Sequence, residues 1–137
     1  MKESREKGRK DPGNGPARRA ARFLLQRLGI RSLLALRRGG MLVEDGWFRS
    51  FDEGRPVDAR GEPLPWLTYG AIEFLSPRVR RDMSVFEFGC GWGTLWWASR
   101  VSRVIACEHD PSWFREMKSR VPANASLIHE PYPGNKG

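Results

Sequence analysis

From Asp82 onward the chain alternates short apolar runs with segments of helical character, and the first run leads into a glycine ladder, Val85-Phe86-Glu87-Phe88-Gly89-Cys90-Gly91-Trp92-Gly93-Thr94. The pattern predicts strands over 84–88, 103–107 and 126–129, with helices over 94–100 and 111–120 between them. Strands joined through helices run parallel and cross over right-handedly, so the expected class is α/β with a parallel β-α-β-α-β sheet. Asp110 supplies an N-cap acceptor and Pro111 a first helical residue with no N–H to waste. Trp113, Phe114, Met117 and Val121 are expected to give that helix its sheet-facing side, and Pro122 to stop it.

In an open parallel sheet a ligand binds beyond the carboxyl ends of the strands, and the first strand-to-helix turn comes nearest to it. Gly89, Gly91 and Gly93 fall at that turn, where missing Cβ atoms permit positive φ and close approach. A dinucleotide loop needs G-x-G-x-x-G so that pyrophosphate can rest on the helix N-terminus. From Gly89 the last position of that pattern is Thr94, and from Gly91 it is Trp96, so neither register fits. The carboxylate of Glu87 at the strand end would repel a pyrophosphate, whereas it suits a ligand that carries an ammonium group and a sulfonium.

The run Glu87-x-Gly89-x-Gly91-x-Gly93 resembles the first motif of class I S-adenosylmethionine (SAM) dependent methyltransferases. A second match follows in Val104-Ile105-Ala106-Cys107-Glu108, where an acidic residue closes the next strand. The resemblance implies a Rossmann-like sheet and SAM as cofactor. It implies that the loop Gly89, Cys90, Gly91 and Gly93 cradles the methionine part, with Glu87 on its amino group and Glu108 accepting from both ribose hydroxyls. His109 and Asp110 follow on the adenine side, although capping alone accounts for Asp110. Glu130 and Tyr132 occupy the place after the third strand where the family often contacts adenine.

Other residues admit two readings. Trp92 either faces the sulfonium as a cation–π partner or packs over the helix start, and packing is the simpler expectation. Trp96 and Trp97 are expected in the core. Thr68 and Tyr69, before the first strand, either reach the cofactor or anchor a short helix within 65–75 that ends at Ser76-Pro77. Cys90, Cys107 and His109 lack the spacing of a metal site, so no metal is expected.

The chain has 24 Lys+Arg against 16 Asp+Glu, but residues 1–40 hold 12 basic and 3 acidic side chains and the remainder 12 and 13. The basicity therefore belongs to the N-terminal part, and net charge gives no ground for assigning the glycine-loop region to nucleic acid. Residues 1–16 lack apolar side chains after Met1 and are expected to be a disordered basic arm. Residues 17–40 read as a basic amphipathic helix over 17–38 with a weak point at Gly29. Its arginines are either solvated or offered to an anionic membrane surface. Residues 41–65 read as an irregular connection and 66–137 as the partial SAM-binding domain. Two scattered cysteines and no long apolar run fit a reducing, cytoplasmic setting.

The resemblance covers about 66–132, the cofactor half of a seven-stranded family sheet. It leads to the expectation of a truncated product, with completion by another chain or a homo-oligomer, or a smaller rearranged domain, as alternatives. The expected activity is methyl transfer to a small-molecule or glycan acceptor. Catalytic residues stay unassigned, because the family places its acceptor-positioning groups after a fourth strand. Two other functions compete: an interaction protein whose basic arm binds membrane or RNA, and, further off, an NAD-linked oxidoreductase.

Overall fold

The computed structural model describes residues 16–132. The basic arm up to residue 15 and residues 133–137 lie outside the described residues. The chain divides into two compact units, one ending at Gly39 and the other beginning at Gly40.

In the first unit, α1 (Pro16–Arg27) and α2 (Ile30–Leu36) replace the single helix expected over 17–38. The break falls at Gly29, whose φ of 69° lies in the left-handed region that ends helices. Phe23, Leu24, Leu28 and Leu34 are exposed, and the Arg27 guanidinium sits 5.6 Å from the Phe23 ring centre.

The second unit is built on a three-stranded parallel sheet, β1 (Ser84–Phe88), β2 (Arg103–Glu108) and β3 (Ala125–His129), in the order β1-β2-β3. Helix α6 (Trp92–Ala98) joins the first pair of strands and α7 (Pro111–Lys118) the second. Two crossovers of the same hand, stepping the same way along a sheet, put both helices on one face. That face carries Val85, Val104, Ala106, Ala125 and Leu127, which pack against Leu95 and Ala98 of α6 and Met117 of α7. Trp96, Met117, Val57, Val101 and Val104 are fully buried. Each such apolar side chain contributes roughly 1.5–3 kcal/mol of transfer free energy. Asn124 ties the layers together by donating its amide to the carbonyls of Ala98 and Val101 at 2.9 and 3.1 Å.

The opposite face is apolar, and no described element of this unit covers it. Register places Phe86 beside Ile105 and Phe88 beside Cys107, with Cys107 beside Ile128. Phe86, Phe88 and Ile128 are 55%, 90% and 47% exposed.

The irregular connection expected over 41–65 needs correction. It contains α3 (Met41–Glu44) and α4 (Trp47–Glu53), then a loop pinned by an antiparallel bridge between Val57 and Pro63. Gly46 and Gly54 flank α4 with φ of 85° and 64°, and Gly54 returns its N–H to the last carbonyls of that helix. A Cβ at Gly46 would lie 2.3 Å from the Asp58 carbonyl carbon, so helix and loop touch backbone to backbone. Val57 then inserts into the core beside Trp92, Ala106 and Met117. Helix α5 (Tyr69–Leu75) starts later than expected, with the Thr68 hydroxyl accepting from Ala71 N at 3.3 Å as its N-cap. Among the described residues no helix is long and apolar enough to cross a membrane.

Candidate functional site

The turn between β1 and α6 is shorter than the sequence suggests, because the helix begins at Trp92 and takes Gly93 into its first turn. The three glycines have different reasons to be there. Gly89 has φ of 84°, the left-handed region that only glycine occupies readily. Gly91 is extended, and a Cβ there would meet nothing nearer than the Trp113 ring at 3.9 Å. Gly93 is a matter of space, since its Cβ would stand 3.2 Å from Glu87 Oε1 and 3.6 Å from Pro65 Cα. Positive φ, expected across the ladder, is thus confined within it to Gly89.

Four interactions hold the turn in place. Gly89 N donates to Cys107 O at 2.7 Å and Gly91 N to the Thr94 hydroxyl at 3.0 Å. The Trp113 indole N–H donates to Cys90 O at 2.6 Å. Cys90 N donates to Glu108 Oε2 at 3.0 Å, so the carboxylate ending β2 binds the loop that follows β1.

Glu108 is almost wholly buried. Its other oxygen, Oε1, accepts from His109 N and Asp110 N, both at 2.8 Å, and lies 3.1 Å from His109 Nδ1. Burial pushes its pKa up, but the N–H groups of Asp110, Cys90 and His109 outweigh that and hold it below the ordinary glutamate value. Cys90 shows the converse. Burial, then the neighbouring Glu108 charge, pushes its thiol up to about 12, so it stays protonated and is no nucleophile at neutral pH.

Glu87 differs from Glu108 in having no such cradle. Its Oε2 is buried without a hydrogen-bond partner. Burial raises its pKa, with the Thr94 hydroxyl opposing. The side chain lines an open cavity of about 500 Å³, walled by the loop from Phe88 to Gly93, by Pro65, Trp66 and Leu67, and by Trp113. Its volume is that of a small-molecule site, roughly 300–1,000 Å³.

No protein-family model matches this chain, and no curated protein matches it in sequence.

Of the site residues read from sequence, Glu87, Gly89, Cys90, Gly91 and Gly93 come together on this cavity, while Glu108 and His109 are not among its walls. His109 instead meets the Tyr132 ring at 4.3 Å between centroids, and its carbonyl faces His129 Nε2 at 3.3 Å. Glu130 N donates to Glu108 O at 2.8 Å. Trp92 is buried against Trp113, with the Arg55 and Arg120 guanidinium groups 5.3 and 5.2 Å from its ring centre. Thr68 and Tyr69 border a different cavity.

Sequence reasoning missed Arg55, Pro65 and Trp113 as site residues. Trp113 was expected to face the sheet, but it turns toward the loop and leaves Met117 as the buried member of α7. An indole three residues past the N-cap of a helix that starts beside the loop was the available signal. Nothing in the pattern of 54–67 pointed to the cavity wall it forms.

Proposed function

We propose that this protein binds SAM through a Rossmann-like β-α-β-α-β unit and acts as a SAM-dependent methyltransferase on a small-molecule or glycan acceptor. The observation that carries the reading is Glu87: a carboxyl on a cavity wall whose buried Oε2 has no hydrogen-bond partner among the described residues. Buried polar atoms of native proteins have partners, and a ligand ammonium group supplies one of the right charge. The order β1-β2-β3 with a glycine turn after the first strand supports the fold assignment, since it is that of one half of a doubly wound sheet.

When bound, SAM supplies a methyl group already activated as a sulfonium. The protein's part is to bind, orient and exclude water. Glu87 would hold the amino group, the Gly89–Gly93 backbone would follow the methionine chain, and Trp113 and Trp66 would shield the cavity. Glu108 would take part in ribose binding by exchanging one of its present donors for a hydroxyl. The paired rings of His109 and Tyr132 would offer a surface for adenine.

Calorimetric titration with S-adenosylhomocysteine tests the proposal, with Glu87→Gln as the informative variant because Glu108 also holds the loop. Micromolar binding weakened at least tenfold by Glu87→Gln is expected. Folded protein that takes up no S-adenosylhomocysteine overturns the reading.

A further inference from the structure

A second open cavity, of about 650 Å³, adjoins the first within the same unit. The two share the segments Gly54-Arg55-Pro56 and Pro65-Trp66-Leu67 as a common wall. The far side is built by α4 and α5, where Trp47 and Phe51 lie nearly parallel with ring centres 5.7 Å apart and Ile72 closes the floor. Phe51 is 73% exposed and Trp66 91% exposed, a large aromatic surface left to solvent beside a cavity of ligand size.

Most polar side chains along this cavity are already committed. Ser50 Oγ donates to Val57 O at 2.7 Å and accepts from Val57 N at 2.9 Å. Thr68 Oγ1 caps α5, and Arg55 is paired with Glu53 at 2.6 Å. Burial first, and then the Asp45 charge, holds the Tyr69 phenol above its ordinary value, so it is uncharged at neutral pH. A polyhydroxylated ligand needs several free donors and acceptors, because each buried hydroxyl left unmatched costs about 1–3 kcal/mol. A flat apolar ligand needs aromatic faces and little else.

We infer that this second cavity binds a planar, largely apolar small molecule, such as a fused-ring phenol, and that this is the methyl acceptor. Its oxygen would form the new O–CH3 bond as the S–CH3 bond of SAM breaks. S-adenosylhomocysteine would leave as the neutral thioether, and the hydroxyl proton would pass to solvent through the open cavity. The role as acceptor rests on the methyltransferase reading; the binding site does not. Of the two acceptor classes, the cavity selects the aromatic small molecule over the glycan.

The test is a titration of the full chain, followed through indole and amide resonances, with 2-naphthol as one probe and maltose as the other. 2-Naphthol should shift the Trp47 and Trp66 indole signals saturably, with little effect on the buried Trp96. Phe51→Ala should weaken that binding about tenfold while leaving S-adenosylhomocysteine titration unchanged, and Trp66→Ala, at another exposed position, should weaken 2-naphthol binding too. Maltose shifting those signals in place of 2-naphthol, shifts confined to the sheet residues Phe86 and Ile128, or unaltered affinity in both variants overturns the inference. Binding of 2-naphthol without any binding of S-adenosylhomocysteine removes the methyltransferase reading and keeps the site. The reverse removes the aromatic site alone.

Discussion

Glu87 and Glu108 are the same residue type near the carboxyl ends of adjacent strands, yet their surroundings give them opposite work. Glu108 receives three backbone N–H groups and fixes the loop, whereas Glu87 keeps a buried oxygen with no partner. Because its folded pKa is raised, Glu87 contributes stability that is present in acid, below its unfolded value, and lost as pH rises through the folded value. Glu87→Gln should therefore raise the urea midpoint of the ligand-free protein at neutral pH while lowering affinity for an ammonium-bearing ligand. Wild-type affinity should also fall on acidification through the raised pKa, and the Gln variant should lose that dependence. A variant that is less stable, or that keeps the pH dependence, would speak against the assignment. The glycines offer an independent check. Gly89→Ala should cost about 1–2 kcal/mol from left-handed strain alone, since its Cβ would meet open space. Gly91→Ala should be near neutral, as its backbone is extended and its Cβ has room. Equal losses in chemical denaturation would contradict this division. From sequence the ladder was visible as a unit, but the separate reasons for each glycine depended on φ values and on Pro65, far away in the chain.

The elements most legible in the sequence were those with strong local punctuation. Asp110-Pro111 opened α7 as expected, and the three apolar runs became strands within a residue of their expected ends. Helices α3 and α4 were hidden because each is too short to show a period, and their bounds depend on the left-handed Gly46 and Gly54. Gly29 was visible as a weak point, but whether it would bend or break the helix was decided by its φ. Helix α7 also shows where sequence periodicity misleads: Trp113 and Met117 are spaced to share a face, but the indole is held by Cys90 O and only Met117 enters the core. Met117 is fully buried between Val57, Trp92 and Ala106. Met117→Ala should then cost about 2–5 kcal/mol, the range for emptying a large apolar site. Trp113→Phe removes a hydrogen bond and little volume, so its loss should be nearer 1 kcal/mol. Denaturation midpoints that reverse this order would show α7 to be held by the loop and not by the sheet.

At the scale of the whole molecule the sheet is unusual in being covered, among the described residues of its unit, on one face only. Parallel sheets ordinarily have helices on both faces, and their strands are apolar on both sides for that reason. The strands here have that two-sided composition: Val85, Val104, Ala106 and Leu127 face the helices, while Phe86, Phe88, Ile105 and Ile128 face outward. Among the described residues β1 also pairs on one side only, so an open strand edge borders the apolar face. Both features favour association of partly unfolded chains over their refolding. Phe86 and Ile128 are suitable positions to test this, since neither lines the two cavities described above. Replacing both by Thr keeps strand propensity and removes exposed apolar area. Surface substitutions of this kind usually move stability by no more than about 0.5 kcal/mol each. The double variant should therefore keep the wild-type thermal midpoint within a few degrees, while light scattering begins at a distinctly higher temperature and depends less on protein concentration. Unchanged scattering with an unchanged midpoint would mean that the uncovered face does not drive aggregation. A large drop in midpoint would mean instead that Phe86 and Ile128 stabilise the sheet through contacts their exposure does not suggest.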